Sequence, residues 1–254
     1  MAELMNVPTQ PLDLPSRGLL YPESSPLSSG QVELYLPTAM HEDILTNKNF
    51  IQQGVVIDKF LQSIIASKID YNDLLIGDKN AIMIGARILA YGSNYTFKYT
   101  PQGSSISEDV TVDLSKLKEK EIDWASVKKG SNEFDVELSI SKKLVTYKIL
   151  SHKDEMAIEA EIKGLQKINK NLSSDTTVRL AHSIVAVEGD RDKKVIRDFV
   201  KLMPIRDSQE LKKEVSKNTP DIVMKFDFTL SNGEVVEGLN IPLTVDFFWP
   251  EFGV

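Results

Sequence analysis

The 254-residue chain has no cysteine, which excludes disulfides, thiolate metal sites, iron–sulfur clusters and cysteine nucleophiles. Histidine is almost as scarce: His41, His152 and His182 are the only three. Any serine, threonine, lysine or carboxylate nucleophile would depend on one of them, and their spacing matches no His-x-x-x-His or His-Glu-x-x-His metal motif. Aromatics make up 7% of the chain and do not interleave with basic residues, so a base-stacking platform is not expected. Apolar runs stay short of the roughly 18 residues that read as a membrane span. Met1 to Asp13 lacks the basic flank and apolar run of a secretion signal.

Basic charge is in deficit, 30 Lys plus Arg against 37 Asp plus Glu, for a formal charge of −7. Such a chain gains from phosphate counterion release only if its basic residues share one face. The densest basic stretch, Lys116, Lys118, Lys120, Lys128 and Lys129, is interleaved with Glu119, Glu121 and Asp123 and reads as a solvated connector. No nucleic-acid partner is expected. Gly85, Gly92 and Gly103 form no phosphate-cradling pattern. A calcium loop counted from Asp70 meets Leu75 and Ala81 where glycine and glutamate are required. No catalytic, metal or cofactor site follows from the residues.

Apolar residues make up 41% of the chain, enough for a sizeable core. Five prolines, Pro8, Pro11, Pro15, Pro22 and Pro26, forbid a helix before Gly30 and predict an extended N-terminal arm over residues 1–30. Leu14, Leu19, Leu20 and Tyr21 give it more apolar character than a tether needs, and they are candidate partner contacts.

Beyond the arm, a strand over Val32 to Leu36 is followed by helices over Ala39–Leu45, from Val56, and from about Asp78 to Gly92. A hairpin is then expected from Tyr95–Thr100 with Val110–Leu114. The plan recurs. Phe134 to Leu150 alternates as a hairpin, His152 to Glu155 open a helix as His41 to Asp43 do, and Asp192–Leu202 is helical. A last hairpin is expected from Ile222–Leu230 with Leu239–Phe247. Ser63-Ile64-Ile65-Ala66 with Asp70 matches Ser183-Ile184-Val185-Ala186 with Asp190 at a constant separation of 120 positions. The second copy carries an insertion, Met203 to Asp207, and a further helix from Ser208 to Ser216. An α+β fold is expected, with a first lobe over residues 31–130 and a duplicate over 131–254. Phe247 to Phe252 then packs four aromatics together, and Trp249 and Phe252 are candidate partner anchors.

Leu14-Pro15-Ser16-Arg17-Gly18 with Leu20-Tyr21-Pro22, Glu42 to Asn47, Arg87 to Gly92, Val112-Asp113-Leu114 and the closing Phe247-Phe248-Trp249-Pro250 resemble, in order, the baseplate hub and hub-assembly proteins of T4-type phage tails. Relatives carry cysteine pairs in a hairpin, suggestive of a zinc ribbon. This chain has Pro101 to Ser104 and Ser231 to Glu234 there, so the resemblance implies a cysteine-free variant without cofactor.

It further implies a non-enzymatic structural component of the baseplate hub, made in the host cytoplasm and residing in the virion tail. Hub, tape-measure or tail-lysozyme-associated subunits would be its partners. The alternative implication is a transient assembly chaperone that binds a hub or tape-measure protein and then leaves.

Overall fold

A computed structural model describes residues 7–101, 107–168, 174–243 and 245–248. The proline-rich stretch is built into the fold from Thr9 onward. Strand β1 (Thr9–Asp13) pairs antiparallel with β2 (Gln31–Tyr35), with Pro11 opposite Glu33. A two-stranded sheet accepts a proline because an edge strand leaves one row of its amides outside the ladder. Between the strands the chain reverses at Gly18, whose φ is +73° and whose added Cβ would sit 2.6 Å from the Gly30 nitrogen. That conformation and that space both require glycine.

Helices α1 (Ala39–Leu45), α2 (Lys48–Gln53) and α3 (Val56–Ile64) follow. The Asn47 side chain accepts from Asn49 and Phe50 nitrogens at 3.0 and 3.2 Å and starts α2. Val56, Phe60, Leu61 and Ile64 form one buried face of α3. After a 3-10 turn at Tyr71–Asp73 comes α4 (Ile76–Tyr91), then the antiparallel hairpin β3 (Asn94–Tyr99) and β4 (Glu108–Asp113).

The second half opens with β5 (Phe134–Glu137) and β6 (Leu144–Tyr147), continues through α5 (His152–Ile168) and α6 (Asp175–Ser183), and adds β7 (Ile184–Val187). These strands form one antiparallel sheet in the order β5-β6-β7. Next come α7 (Lys193–Leu202), α8 (Ile205–Asn218) and the hairpin β8 (Lys225–Thr229) with β9 (Val235–Asn240). The architecture is α+β, helices with small antiparallel sheets.

Two elements differ from expectation. Ile184 to Val187, matched in the repeat to a stretch whose Ile64 ends helix α3, form a strand, because β-branched residues pair there along β6. The last strand ends at Asn240, and Val245–Phe248 is a 3-10 turn.

In the first half helices lie between the β1–β2 and β3–β4 pairs, and in the second half helices and β7 lie between the β5–β6 and β8–β9 pairs. Ser63 donates to the Phe60 carbonyl at 2.6 Å and Ser183 to the Leu180 carbonyl at 3.1 Å. Ile65 lies opposite Leu34 of β2, whereas in the second half it is Ile184, the counterpart of Ile64, that lies opposite Tyr147 of β6. Asp70 and Asp190 each accept from the amide two residues on, at 2.9 and 2.8 Å.

The halves do not have separate cores. One apolar cluster runs from Leu14 through Phe60, Ile82, Tyr147 and Leu211 to Phe248. Backbone bonds also cross between halves, Ile76 N to Leu150 O at 3.1 Å and Val223 N to Lys118 O at 2.8 Å.

Gly164 inside α5 has open space where a Cβ would be. Gly164→Ala is therefore expected to stabilise the chain by about 0.5–1 kcal/mol, read as a higher urea midpoint with an unchanged slope; a lower midpoint would contradict the helical placement.

Candidate functional site

Three of the four apolar residues singled out in the N-terminal stretch are taken up by the chain's own core. Leu14, Leu20 and Tyr21 are 1%, 2% and 4% exposed, and Leu19 is half-buried. The physical reason is a buried carboxylate on α4. Asp78 accepts from the Ser16 nitrogen at 2.9 Å and from the Tyr21 hydroxyl at 2.6 Å, and that hydroxyl accepts from the Leu75 nitrogen at 2.9 Å. Each buried polar group thereby satisfies another. Burial raises the Asp78 carboxyl above its usual range, with the Tyr21 and Ser16 bonds opposing.

A second polar group joins the halves. Asp58 Oδ1 accepts from the Tyr71 hydroxyl at 2.8 Å and pairs with Lys79 Nζ at 2.5 Å; Lys79 lies 3.3 Å from His152 Nδ1. The His152 ring meets the Tyr71 ring edge-on with centroids 4.8 Å apart. Burial, then the Lys79 charge, lower its pKa. The three histidines thus do different things. His41 takes the Thr38 amide at 3.0 Å at the start of α1, His152 is buried in the clamp, and His182 bonds Glu161 at 3.0 Å. The matching sequence positions of His41 and His152 do not give matching environments.

The strings quoted above for the family resemblance act as fasteners. Buried Arg87 donates to the Gly92 carbonyl at 3.1 Å and lies over the Tyr91, Tyr95 and Phe247 rings. Asp113 starts the turn after β4 by accepting from Ser115 N at 3.1 Å. Phe247 and Phe248 are buried, Phe248 against Phe60 and Phe247 against Tyr95 at centroid distances of 5.1 and 4.9 Å. Trp249 and Phe252 lie outside the described residues. So does the 102–106 tip of the first long hairpin. That hairpin meets the last one through Phe97 and Phe226 and through Glu108, which accepts from Ser231 N and Oγ at 2.9 and 2.6 Å.

At the surface, Leu202 and Ile205 are 85% and 77% exposed at the corner between α7 and α8. The inserted Met203-Pro204 turns the chain there, and only this interruption of the helix marked the corner in the sequence. A half-open cleft of about 660 Å³ lies beside α7, floored by Ala181, Ile184, Val185 and Ile196 and edged by Lys148, Arg191, Lys193 and Arg197. Among the described residues no group of three or more His, Asp and Glu side chains could hold a metal ion, and no helix is long and apolar enough to cross a membrane.

No curated protein and no solved structure matches the chain. The family model described as T4 bacteriophage base plate protein does match, over residues 29–249. With nearly the whole chain covered, the protein belongs to the T4 bacteriophage base plate protein family, and its role is structural, in the baseplate of a phage tail.

Proposed function

We propose that the chain is a non-enzymatic component of the baseplate hub that joins tail proteins through protein–protein contacts. The family match over residues 29–249 carries this reading. It is supported by the purely structural use of the motif residues, in which Ser16, Tyr21, Arg87 and Asp113 all hold this chain together. We read the halves as copies of one unit, supported by the matched serine and aspartate bonds at a separation of 120 positions. The added α8 makes the second copy different. A chain of this kind presents related but unequal surfaces to two neighbours.

Trp249 and Phe252 are kept as anchors for a hub, tape-measure or tail-lysozyme-associated partner, since large aromatics dominate interface energetics. Deleting residues 1–30 would not test partner binding, because Leu14, Leu20, Tyr21 and Leu27 are core residues. The test is a pull-down of the intact chain, beside Trp249→Ala with Phe252→Ala, from cells expressing neighbouring tail genes. The intact chain is expected to retain a tail protein and the double variant to lose it with folding unchanged. Equal capture by both would remove the aromatics from the interface, and capture of no tail protein by the intact chain would contradict the joining role.

A further inference from the structure

A chain with 37 acidic and 30 basic residues would on average line its clefts with excess carboxylate. The cleft beside α7 does the reverse, setting Lys148, Arg191, Lys193 and Arg197 against Glu133 and Asp154. The carboxylates are already engaged. Glu133 takes both Arg191 terminal nitrogens at 2.9 and 2.7 Å, and Asp154 accepts from Lys148 at 2.7 Å and from Ser151 N and Oγ at 3.0 Å. At the rim Glu161 accepts from Arg197 Nη2 at 2.8 Å and bonds His182.

Two of the four cations keep capacity in reserve. Arg197 spends one nitrogen on Glu161, and Lys193 forms no ion pair among the described residues. Lys193, Ile196 and Arg197 fall at i, i+3 and i+4 on one side of α7, so a buried apolar side chain lies beside two positive charges. With Ile184 and Ile196 buried at its base, the cleft combines an apolar floor with a cationic rim.

We propose that this cleft binds an acidic segment of a partner protein, one apolar side chain resting on the floor while flanking carboxylates meet Lys193 and Arg197. The proposal rests on the protein-contact reading in one respect, that the occupant is a protein. Phosphate backbone is disfavoured: four cations beside three carboxylates, on a chain of charge −7, make no continuous stripe. A carboxylate-bearing segment gains here both from complementary charge, which sets association rate and register, and from burial of its apolar residue.

The test titrates the intact chain with a short fluorescein-labelled peptide of alternating glutamate and leucine and reads anisotropy. Its glutamine counterpart and an oligothymidylate serve as competitors. The glutamate peptide is expected to bind, to weaken on the order of tenfold in exposed Lys193→Glu, and to be unaffected by Lys116→Glu on the distant connector. Absence of binding, equal binding of the glutamine peptide, insensitivity to Lys193→Glu, or displacement by oligothymidylate would each overturn the proposal. The tail-protein pull-down separates this failure from failure of the joining role. If a tail protein is captured while the peptide does not bind, the contact lies elsewhere on the chain.

Discussion

Asp78→Ala is expected to destabilise the chain by about 3 kcal/mol, because it strips the acceptor from two buried donors at once. Ser16 N and the Tyr21 hydroxyl both end on that carboxylate. For a chain of this size the loss corresponds to a fall in Tm of roughly 6–12 °C. Asp78→Asn keeps the shape and one acceptor, so about 1 kcal/mol is expected for it. Tyr21→Phe leaves the Leu75 amide unpaired and should fall between the two. Thermal and urea unfolding of the three variants would check the order. An Asp78→Ala chain as stable as the wild type would mean that the N-terminal stretch is not fastened to α4 through this group.

The same carboxylate gives a pH dependence with a definite sign. Burial raises the folded Asp78 above its ordinary value of 3.8, so in the window between that value and the folded one the native chain holds a proton that the unfolded chain has released. Folding then gains as pH falls through the folded value toward 3.8. The wild type should therefore gain stability relative to Asp78→Asn on acidification through that window, even though other carboxylates, such as Glu133 held low by Arg191, push the absolute stability the other way.

Gly77→Ala is the second large effect, also about 3 kcal/mol. A Cβ on Gly77 would overlap the Pro220 carbonyl oxygen and lie 2.8 Å from its carbon and 3.0 Å from Asp221 Cα. These are backbone atoms, so no side chain can swing aside. Relief requires the strip between α8 and β8 to move off α4. That strip is also held by Lys120 N to Asp221 O at 2.8 Å and by Asn80 to Asp221 at 3.1 Å. Hydrogen exchange at Val223, whose amide bonds Lys118, should accelerate in the variant, while exchange within α5 and α6 should change little. Unchanged unfolding and unchanged exchange would contradict the close approach of the two halves at this point.

Much of this fold was legible because its signals are local. The face Val56, Phe60, Leu61, Ile64 makes α3 by spacing alone, and the alternation around residues 94–113 makes the first long hairpin. What stayed hidden depends on contacts far along the chain. Dense prolines identify an extended backbone but cannot say that Asp78, 57 positions beyond Tyr21, will bury it. The repeat cannot say that Ile184 to Val187 will pair along β6 when their counterpart Ile64 ends a helix. The shared core across the halves is likewise a tertiary fact. The cleft beside α7 draws on residues 130–133, 148, 154, 181, 182, 184, 185, 191, 193, 196 and 197, too dispersed for a motif, although Lys193, Ile196 and Arg197 at helical spacing are its one local trace.

The measurement that bears most directly on a structural place in the baseplate is quantitative mass spectrometry of purified phage particles. The chain is expected in fixed proportion to the other baseplate proteins and to remain with the tail when the head is removed. Its absence, or presence far below stoichiometry in particles that still contain a complete baseplate, would contradict a resident role and assign the chain to transient assembly of the hub.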